Sequence, residues 1–315
     1  MSDLYLKCQL SDSKDCPPLP HQPIEQLLPT RNATLGDNLM IRRALPHRQR
    51  RMIGAWCFID HFGPLNLNQS KGMNVGPHPH IGLQTVTWLI EGKITHRDSL
   101  GSEQIINPGQ LNLMTAGNGI VHSEESIIDT HKTLHGAQLW LALPDMVRQM
   151  DPGFAHYEFL PVMEHDGITI TVLAGELFGK VAPTNTYSPT MALDIRTVAA
   201  AKTILPLNPD FEYGVLVLKE SAIIENSIID INNLLYLGYG RDKLSINLPQ
   251  NAHLLILGGE PFKEEVLIWW NFVARTEAEI KEAAENWQTF KYFGEIPGNL
   301  IPRMNAPDLP AAHFK

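Results

Sequence analysis

Residues 76–92 read GPHPHIGLQTVTWLIEG, a Gly/Pro-rich entry followed by the run that decides how this chain folds. The part from Gln84 to Ile90 is rich in β-branched and aromatic side chains and is closed by a Glu-Gly pair, so it predicts one arm of a β-hairpin. Around it, from Leu39 to about Leu143, short apolar stretches alternate with turn signals at the spacing of strands. That spacing is typical of a β-sandwich or barrel.

A similar pattern resumes beyond Pro144-Asp145, in the apolar runs 168–173, 213–218 and 254–259. We therefore predict an all-β chain with two β units in tandem. The predicted limits are an N-terminal arm at 1–23, a first domain at 24–150 and a second domain at 151–315.

One helix is predicted near the C-terminus. Thr276 and Glu279 have the spacing of a capping box, in which each side chain satisfies a backbone N–H of the other residue. Apolar residues follow at helical spacing, which predicts a face that packs on a sheet; they are Ile280, Ala283, Ala284, Trp287 and Phe290.

Composition narrows the class of protein. The 315 residues carry 25 Lys+Arg and 34 Asp+Glu, a net charge of -9, which disfavours nucleic-acid binding despite a basic cluster at residues 42–51. Three Cys residues without C-x-x-C spacing argue against a disulfide scaffold or a zinc ribbon. No run approaches the roughly 18 apolar residues of a membrane span. We expect a cytoplasmic monomer that binds neither nucleic acid nor membrane.

Two short pairs of side chains suggest a metal site. His78 and His80 are two residues apart, as are His122 and Glu124, so on strands each pair points to one face. Each pair is a weak signal alone, but the 42 residues between His80 and His122 leave room for about four strands of a small barrel. Brought together from facing strands, they make a set of three His and one carboxylate. That set suits iron, also tolerates manganese, copper or nickel, and leaves positions open for substrate.

The longer motifs around these pairs are recognisable. Residues 76–86, GPHPHxGLxTV, and 107–124, NPGxLxxMTAGxGIxHxE, resemble the pirin family of bicupins, as do HGAQLW at 135–140 and WWNFV at 269–273. The resemblance extends over roughly residues 35 to 303. It implies two tandem cupin, or jelly-roll-like, β-barrels with a C-terminal helix.

The resemblance also implies a site. In the amino-terminal cupin of pirins one iron is bound by four side chains, whose matching positions here are His78, His80, His122 and Glu124. The expected metal is Fe(II), and zinc is an alternative besides manganese, copper and nickel. Gln84 occupies the place of a metal-binding Glu in the general cupin pattern, which leaves Glu124 as the sole carboxylate. The second cupin is expected to be metal-free, since residues 160–300 contain no H-x-H.

Other side chains near the motifs have less specific readings. His96 is interpreted as a hydrogen-bonded strand residue, with pocket wall as the alternative. Gln138 is either a substrate contact or a buried amide that satisfies backbone groups. Trp269, Trp270 and Phe272 are interpreted as core or inter-domain packing.

Two functions follow from the resemblance, and the sequence leaves both open. One is a quercetin 2,3-dioxygenase, which opens a small flavonol-like aromatic with O2 and releases carbon monoxide, with Glu124 as the catalytic general base. The other is a non-catalytic, redox-sensitive regulator that binds a protein partner when its metal is in one oxidation state.

Overall fold

The computed structural model describes residues 9–18, 22–36, 39–128 and 132–310. In chain order the elements are β1 (Ser11–Asp12), a 3-10 helix (Ser13–Asp15), β2 (Gln26–Pro29), β3 (Arg31–Leu35), β4 (Leu39–Leu45), β5 (Trp56–Asn66), β6 (Asn74–His80), β7 (Leu83–Glu91), β8 (Ile94–Asp98), β9 (Glu103–Ile106), β10 (Leu111–Thr115), β11 (Ile120–Ser126), β12 (Thr133–Ala142) and β13 (Gly153–Tyr157). They continue with β14 (Val162–His165), β15 (Ile168–Ala174), β16 (Glu176–Leu177), β17 (Lys180–Val181), β18 (Thr190–Thr197), β19 (Ala201–Pro206), β20 (Glu212–Lys219), β21 (Ala222–Ile224), β22 (Ser227–Ile229), β23 (Asn233–Tyr239), β24 (Lys243–Leu248), β25 (His253–Gly259), β26 (Leu267–Trp269), β27 (Phe272–Ala274) and α1 (Glu277–Gln288).

Two barrels share one plan, a seven-stranded sheet with a four-stranded sheet. The first has the strand orders β13-β10-β7-β12-β5-β4-β3 and β6-β11-β8-β9. The second has β14-β15-β18-β25-β20-β23-β2 and β19-β24-β21-β22. The predicted all-β fold of two tandem cupin barrels with one C-terminal helix is confirmed.

Two strands lie across the predicted domain limits. Gln26–Pro29 pairs with β23, in the large sheet of the second barrel. Gly153–Tyr157 pairs with β10, in the large sheet of the first. Each barrel therefore has an edge strand from the other's predicted range, and the limits at residues 24 and 150 stay predictions. Within the predicted arm, Ser11–Asp12 pairs with β26.

The two large sheets pack face to face, and tryptophans cross between them. The indole Nε1 of Trp56 donates to the carbonyl oxygens of Met191 (3.2 Å) and Gly258 (3.1 Å). The indole Nε1 of Trp88 donates to Oδ2 of Asp194 (2.9 Å), a carboxylate that is fully buried. Apolar side chains of both sheets surround these contacts and form one inter-barrel core.

A pair of imidazoles also lies between the sheets. His61 and His135 are buried, and their Nε2 atoms are 2.8 Å apart. Burial lowers the pKa of His61 to about 3 and that of His135 to about 4. Protonation of His61 is opposed further by the neighbouring His135, and that of His135 by His253. Near neutral pH both rings are therefore uncharged.

Helix α1 packs on the first barrel, not on the second. Its buried face joins the interior core of that barrel together with β26 and β27. Only one of the two hydrogen bonds of the predicted capping box is present: Thr276 Oγ1 accepts from the N–H of Glu279 (3.2 Å). The Glu279 carboxylate accepts from the N–H of Arg275 (3.0 Å) instead of that of Thr276. The prediction for Phe290 is wrong. The helix ends at Gln288, and Phe290 is 72 % exposed with a positive φ.

With 12 residues, α1 is too short to cross a membrane, and no other helix in the described ranges is long and apolar enough to do so. Cys16 and Cys57 are free thiols, and Cys8 lies outside the described residues.

Candidate metal centre

Two neighbouring strands of the four-stranded sheet bring the predicted site residues together. His78 and His80 lie on β6, and His122 and Glu124 lie on the adjacent β11. His122 is directly opposite His78, and a register shift follows before Glu124. Because residues two apart share a face of a strand, the side chains all point into the barrel. The pairs thus come from neighbouring strands rather than facing ones, and four strands separate them in the sequence, as the spacing predicts.

The side chains converge closely and are closed off from solvent. One ring nitrogen from each of His78, His80 and His122 lies within 4.8 Å of the others, and the Nε2 atoms of His80 and His122 are 3.1 Å apart. A second group with the same spacing contains His96, His122 and Glu124. All five side chains are at most 2 % exposed. His122 belongs to both groups and is the centre of the cluster.

Backbone carbonyls determine which ring nitrogen is free on two of the imidazoles. The Nδ1 of His78 is 2.9 Å from the carbonyl oxygen of Gly76, and the Nδ1 of His80 is 2.9 Å from that of Asn271. A carbonyl oxygen can only accept, so each Nδ1 carries the proton and each Nε2 keeps a lone pair. Nε2 of His78 has no hydrogen-bond partner among the described residues. These lone pairs inside an apolar barrel are the electron pairs that a metal ion accepts.

Burial keeps the imidazoles uncharged. It lowers the pKa of His78 to about 3, against a smaller opposite effect of the Gly76 carbonyl. Burial also lowers the pKa of His80 and of His122 well below the usual value, and the neighbouring imidazoles add to the effect. A neutral ring is the form that binds metal, so no proton has to leave these nitrogens before a cation binds.

Glu124 is a buried carboxyl with one oxygen unused. Burial raises its pKa, and the nearby His96 and the Thr87 hydroxyl oppose the rise. Oγ1 of Thr87 lies 3.1 Å from Glu124 Oε1 and 2.9 Å from Gln138 Oε1, so it bridges the two side chains. Glu124 Oε2 has no partner in the described ranges. The group can therefore bind a cation or accept a proton through Oε2 while Thr87 holds its orientation.

Of the two glutamines, neither binds a ring of the cluster in this structure. Gln138 contacts Thr87, as a buried amide in a hydrogen-bond network. Gln84 points elsewhere: its Nε2 donates to Oγ1 of Thr115 (2.9 Å) and to the carbonyl of Asn185 (3.1 Å), in the second half of the chain. At this position the amide links the two barrels.

His96 is a strand residue with hydrogen bonds, as its interpretation from the sequence states, and it also adjoins the cluster. Its Nε2 is 3.1 Å from Oδ2 of Asp98, and its Nδ1 is 3.4 Å from Nδ1 of His122. Burial acts to raise the pKa of Asp98, but hydrogen bonds from His96 and Ser102 outweigh it and the pKa is lowered. The sequence offered one overlooked signal here, the His-x-Asp spacing of residues 96 and 98.

The C-terminal segment covers the strand that carries the first pair. The N–H of Met304 donates to the carbonyl of Pro77 (2.8 Å), and a Cβ at Gly76 would meet the carbonyl oxygen of Pro302 at 2.2 Å. Glycine at residue 76 therefore allows this close approach. With the carbonyl of Asn271, the chain beyond residue 268 supports the centre at two places.

Two cupin-type barrels, with a cluster of buried imidazoles and a carboxyl in the first, define a bicupin. Sequence comparison names the family: the Pirin family model matches residues 38–141, and that of the Pirin C-terminal cupin domain matches residues 192–293. The chain belongs to the pirin family.

Three similar proteins span nearly the whole chain. A Pseudomonas aeruginosa protein named "Putative quercetin 2,3-dioxygenase" is 46% identical over 311 residues, 98% of each chain. A "Pirin-like protein" of Caulobacter vibrioides is 32% identical, over 92% of this chain and 98% of the relative. The crystal structure of quercetin 2,3-dioxygenase from Acinetobacter baumannii is 48% identical and superposes with a TM-score of 0.88, over 91% of this chain and 96% of the other.

Proposed function

We propose that this bicupin binds one divalent transition metal through His78, His80, His122 and Glu124 and uses it to open a flavonol-like ring with O2. The observation that carries the proposal is the convergence of neutral, buried imidazole nitrogens beside a carboxylate oxygen that has no partner in the part of the chain that the structure describes. The similarity to proteins named quercetin 2,3-dioxygenase supports the reaction class.

The donor set favours Fe(II). Three imidazole nitrogens and one carboxylate oxygen suit iron, and the same set accepts manganese, copper, nickel or zinc. An octahedral ion held by these four side chains would leave two positions for exogenous groups. When bound, the metal supplies Lewis acidity toward a hydroxyl of the substrate and a path for electrons to O2.

Glu124 supplies the base. By shifting off the metal, Glu124 would accept the 3-hydroxyl proton of a flavonol at Oε2, the oxygen that has no hydrogen-bond partner among the described residues. Burial, which raises the pKa of this carboxyl, makes it a better proton acceptor than an exposed glutamate. The Thr87 hydroxyl holds Oε1, so the proton arrives at a fixed oxygen. Both atoms of O2 then enter the product as the ring opens and carbon monoxide leaves.

The complete burial of the cluster favours a second candidate function. Every ring is at most 2 % exposed, so an aromatic substrate needs an opening movement, whereas a change in metal charge needs none. In this candidate the protein is a redox-sensitive regulator, and oxidation of the metal alters the surface that a protein partner binds.

The test uses iron-loaded protein, O2 uptake and the loss of quercetin absorbance, with metal content measured by mass spectrometry. We expect wild-type protein to consume O2 and Glu124→Gln to lose this activity. Glu125→Gln is the matched control, because Glu125 is the next residue of β11 and pairs with Arg97 outside the cluster (2.6 Å). Absence of O2 uptake with iron, manganese, copper, nickel and zinc would rule out quercetin dioxygenation.

The second candidate has a separate test. Ferrous and ferric protein are each used to capture partners, with metal-free protein as the reference. A partner captured in one oxidation state only is expected of a redox-sensitive regulator, and identical partner sets would exclude it.

A further inference from the structure

His122 differs from the other two imidazoles in what holds its outer nitrogen. His78 and His80 use backbone carbonyls, but Nδ1 of His122 faces another ring, Nδ1 of His96, at 3.4 Å. His96 in turn has its Nε2 3.1 Å from Oδ2 of Asp98. Asp98 is directly opposite His122 in the β8–β11 ladder, and all these side chains are buried.

Two ring nitrogens form a hydrogen bond only if one of them carries a proton, and the direction here depends on Asp98. Its carboxylate can only accept, and its other oxygen, Oδ1, accepts the N–H groups of Leu100 (2.9 Å) and Ser102 (3.0 Å). The proton between His96 and Asp98 therefore belongs to Nε2 of His96. This leaves a lone pair on Nδ1 of His96, which accepts the Nδ1 proton of His122. The Nε2 atoms of His80 and His122, 3.1 Å apart, then both carry lone pairs, so their close approach is not a hydrogen bond and is one that a cation between them would stabilise.

We propose that Asp98 and His96 are positioning residues that set the tautomer of His122, so that its Nε2 lone pair faces the metal. The inference rests on the proposed metal site and adds the means by which its central ligand is prepared. Outer partners of this kind fix ring orientation and make the imidazole a stronger donor. Phe154 stacks on His96, with the ring centroids 4.3 Å apart, and holds the plane of the intermediate ring.

Asp98→Asn is the decisive variant. An asparagine that keeps the two backbone N–H groups on its oxygen presents an NH2 group to His96. This reverses the direction of the hydrogen bonds that link residue 98, His96 and His122. Nε2 of His96 must then accept, its Nδ1 carries the proton, and His122 is driven to the tautomer whose Nε2 is protonated. We expect metal affinity, measured by chelator competition, to fall by about 10–100-fold.

Two substitutions of His96 test whether it acts on His122 as a hydrogen-bond acceptor. His96→Asn leaves an acceptor near Nδ1 of His122, and we expect an affinity within about threefold of wild type. His96→Phe removes the acceptor, and we expect a loss like that of Asp98→Asn. His156→Gln is the matched control, because His156 is an imidazole of the same barrel that bonds Asn112 (2.7 Å) outside the cluster.

The readouts are the metal dissociation constant, the visible spectrum of the cobalt-loaded protein and the melting temperature without metal. We expect Asp98→Asn to change the metal dissociation constant and the cobalt spectrum, while the melting temperature without metal stays near that of the wild type. Unchanged metal affinity and cobalt spectrum in Asp98→Asn would overturn the proposal. Equal losses of affinity in His96→Asn and His96→Phe would also overturn it, because they would indicate that His96 itself is a ligand. Wild-type protein that binds no metal would instead refute the proposed function.

Discussion

Mild acid should weaken the packing between the two barrels, and the imidazole pair of His61 and His135 gives the size of the effect. Burial lowers their folded-state pKa values to about 3 and about 4, whereas an unfolded chain has values near 6.5. Below pH 6.5 the unfolded chain therefore binds protons that the folded protein excludes. The stability that the neutral pair provides is present above pH 6.5 and is lost as the pH falls toward 4 and then 3.

The magnitude follows from that linkage. Between pH 7.5 and pH 5.5, each histidine that stays neutral in the folded state lowers the free energy of unfolding by about 1.4 kcal/mol. Two such residues give about 2.7 kcal/mol, a large part of the 5–15 kcal/mol typical of a folded domain.

Urea denaturation at several pH values measures the effect. The double variant His61→Gln/His135→Gln should lose about 2.7 kcal/mol less than wild type between pH 7.5 and pH 5.5, because neither glutamine titrates. His165→Gln removes a half-exposed histidine of the second barrel and serves as control. If wild type and the double variant lose the same free energy over this range, the two imidazoles are not held neutral and the reasoning is wrong.

Three further predictions concern stability. Trp88→Phe removes the indole N–H from the buried Asp194 carboxylate, so we expect about 1–3 kcal/mol less stability in urea denaturation, whereas an unchanged midpoint would show that this hydrogen bond is dispensable. Metal at 100 times its dissociation constant should stabilise the wild type by about 2.7 kcal/mol. For a chain of this size this is about 4 °C in melting temperature, and no shift is expected in a His78→Ala/His122→Ala variant; an equal shift in both would place the binding elsewhere. Thr276→Ala should cost about 1 kcal/mol because it leaves the N–H of Glu279 uncapped, and Thr276→Ser should restore it; equal loss in both would contradict a capping role.

The sequence predicts the class of fold and the composition of the cluster because both depend on local pattern. Strand spacing and turn residues indicate two β units, and the two-residue spacing of His78 with His80 puts both on one face. Local sequence pattern does not predict the position of β2 in the second barrel, because that position depends on which sheet edge offers free hydrogen-bonding groups to Gln26–Pro29. Nor does any motif show that the two pairs lie on adjacent strands, which is a matter of strand order in the barrel.

The supports of the cluster were harder still to predict. The carbonyl that binds His80 comes from Asn271, 191 residues away, and a backbone oxygen has no signature in a sequence. Thr87 is an ordinary strand threonine until Glu124 is brought opposite its hydroxyl. The interpretation of Trp269, Trp270 and Phe272 as core residues agrees with their burial. The turn among them also contains Asn271, whose carbonyl orients His80, and packing arguments do not reveal this role.

The hydrogen bond from His80 to Asn271 also orders events during synthesis. The strands that carry both pairs have left the ribosome long before residue 271 is added. Asn271 follows Glu124 by 147 residues, so at roughly 5–20 residues per second the interval is about 7–30 s. Throughout it the first barrel holds all of its imidazoles without the oxygen that orients one of them. Metal captured by a nascent chain would thus meet an unfinished centre, and the last seventh of the protein determines when the centre is complete.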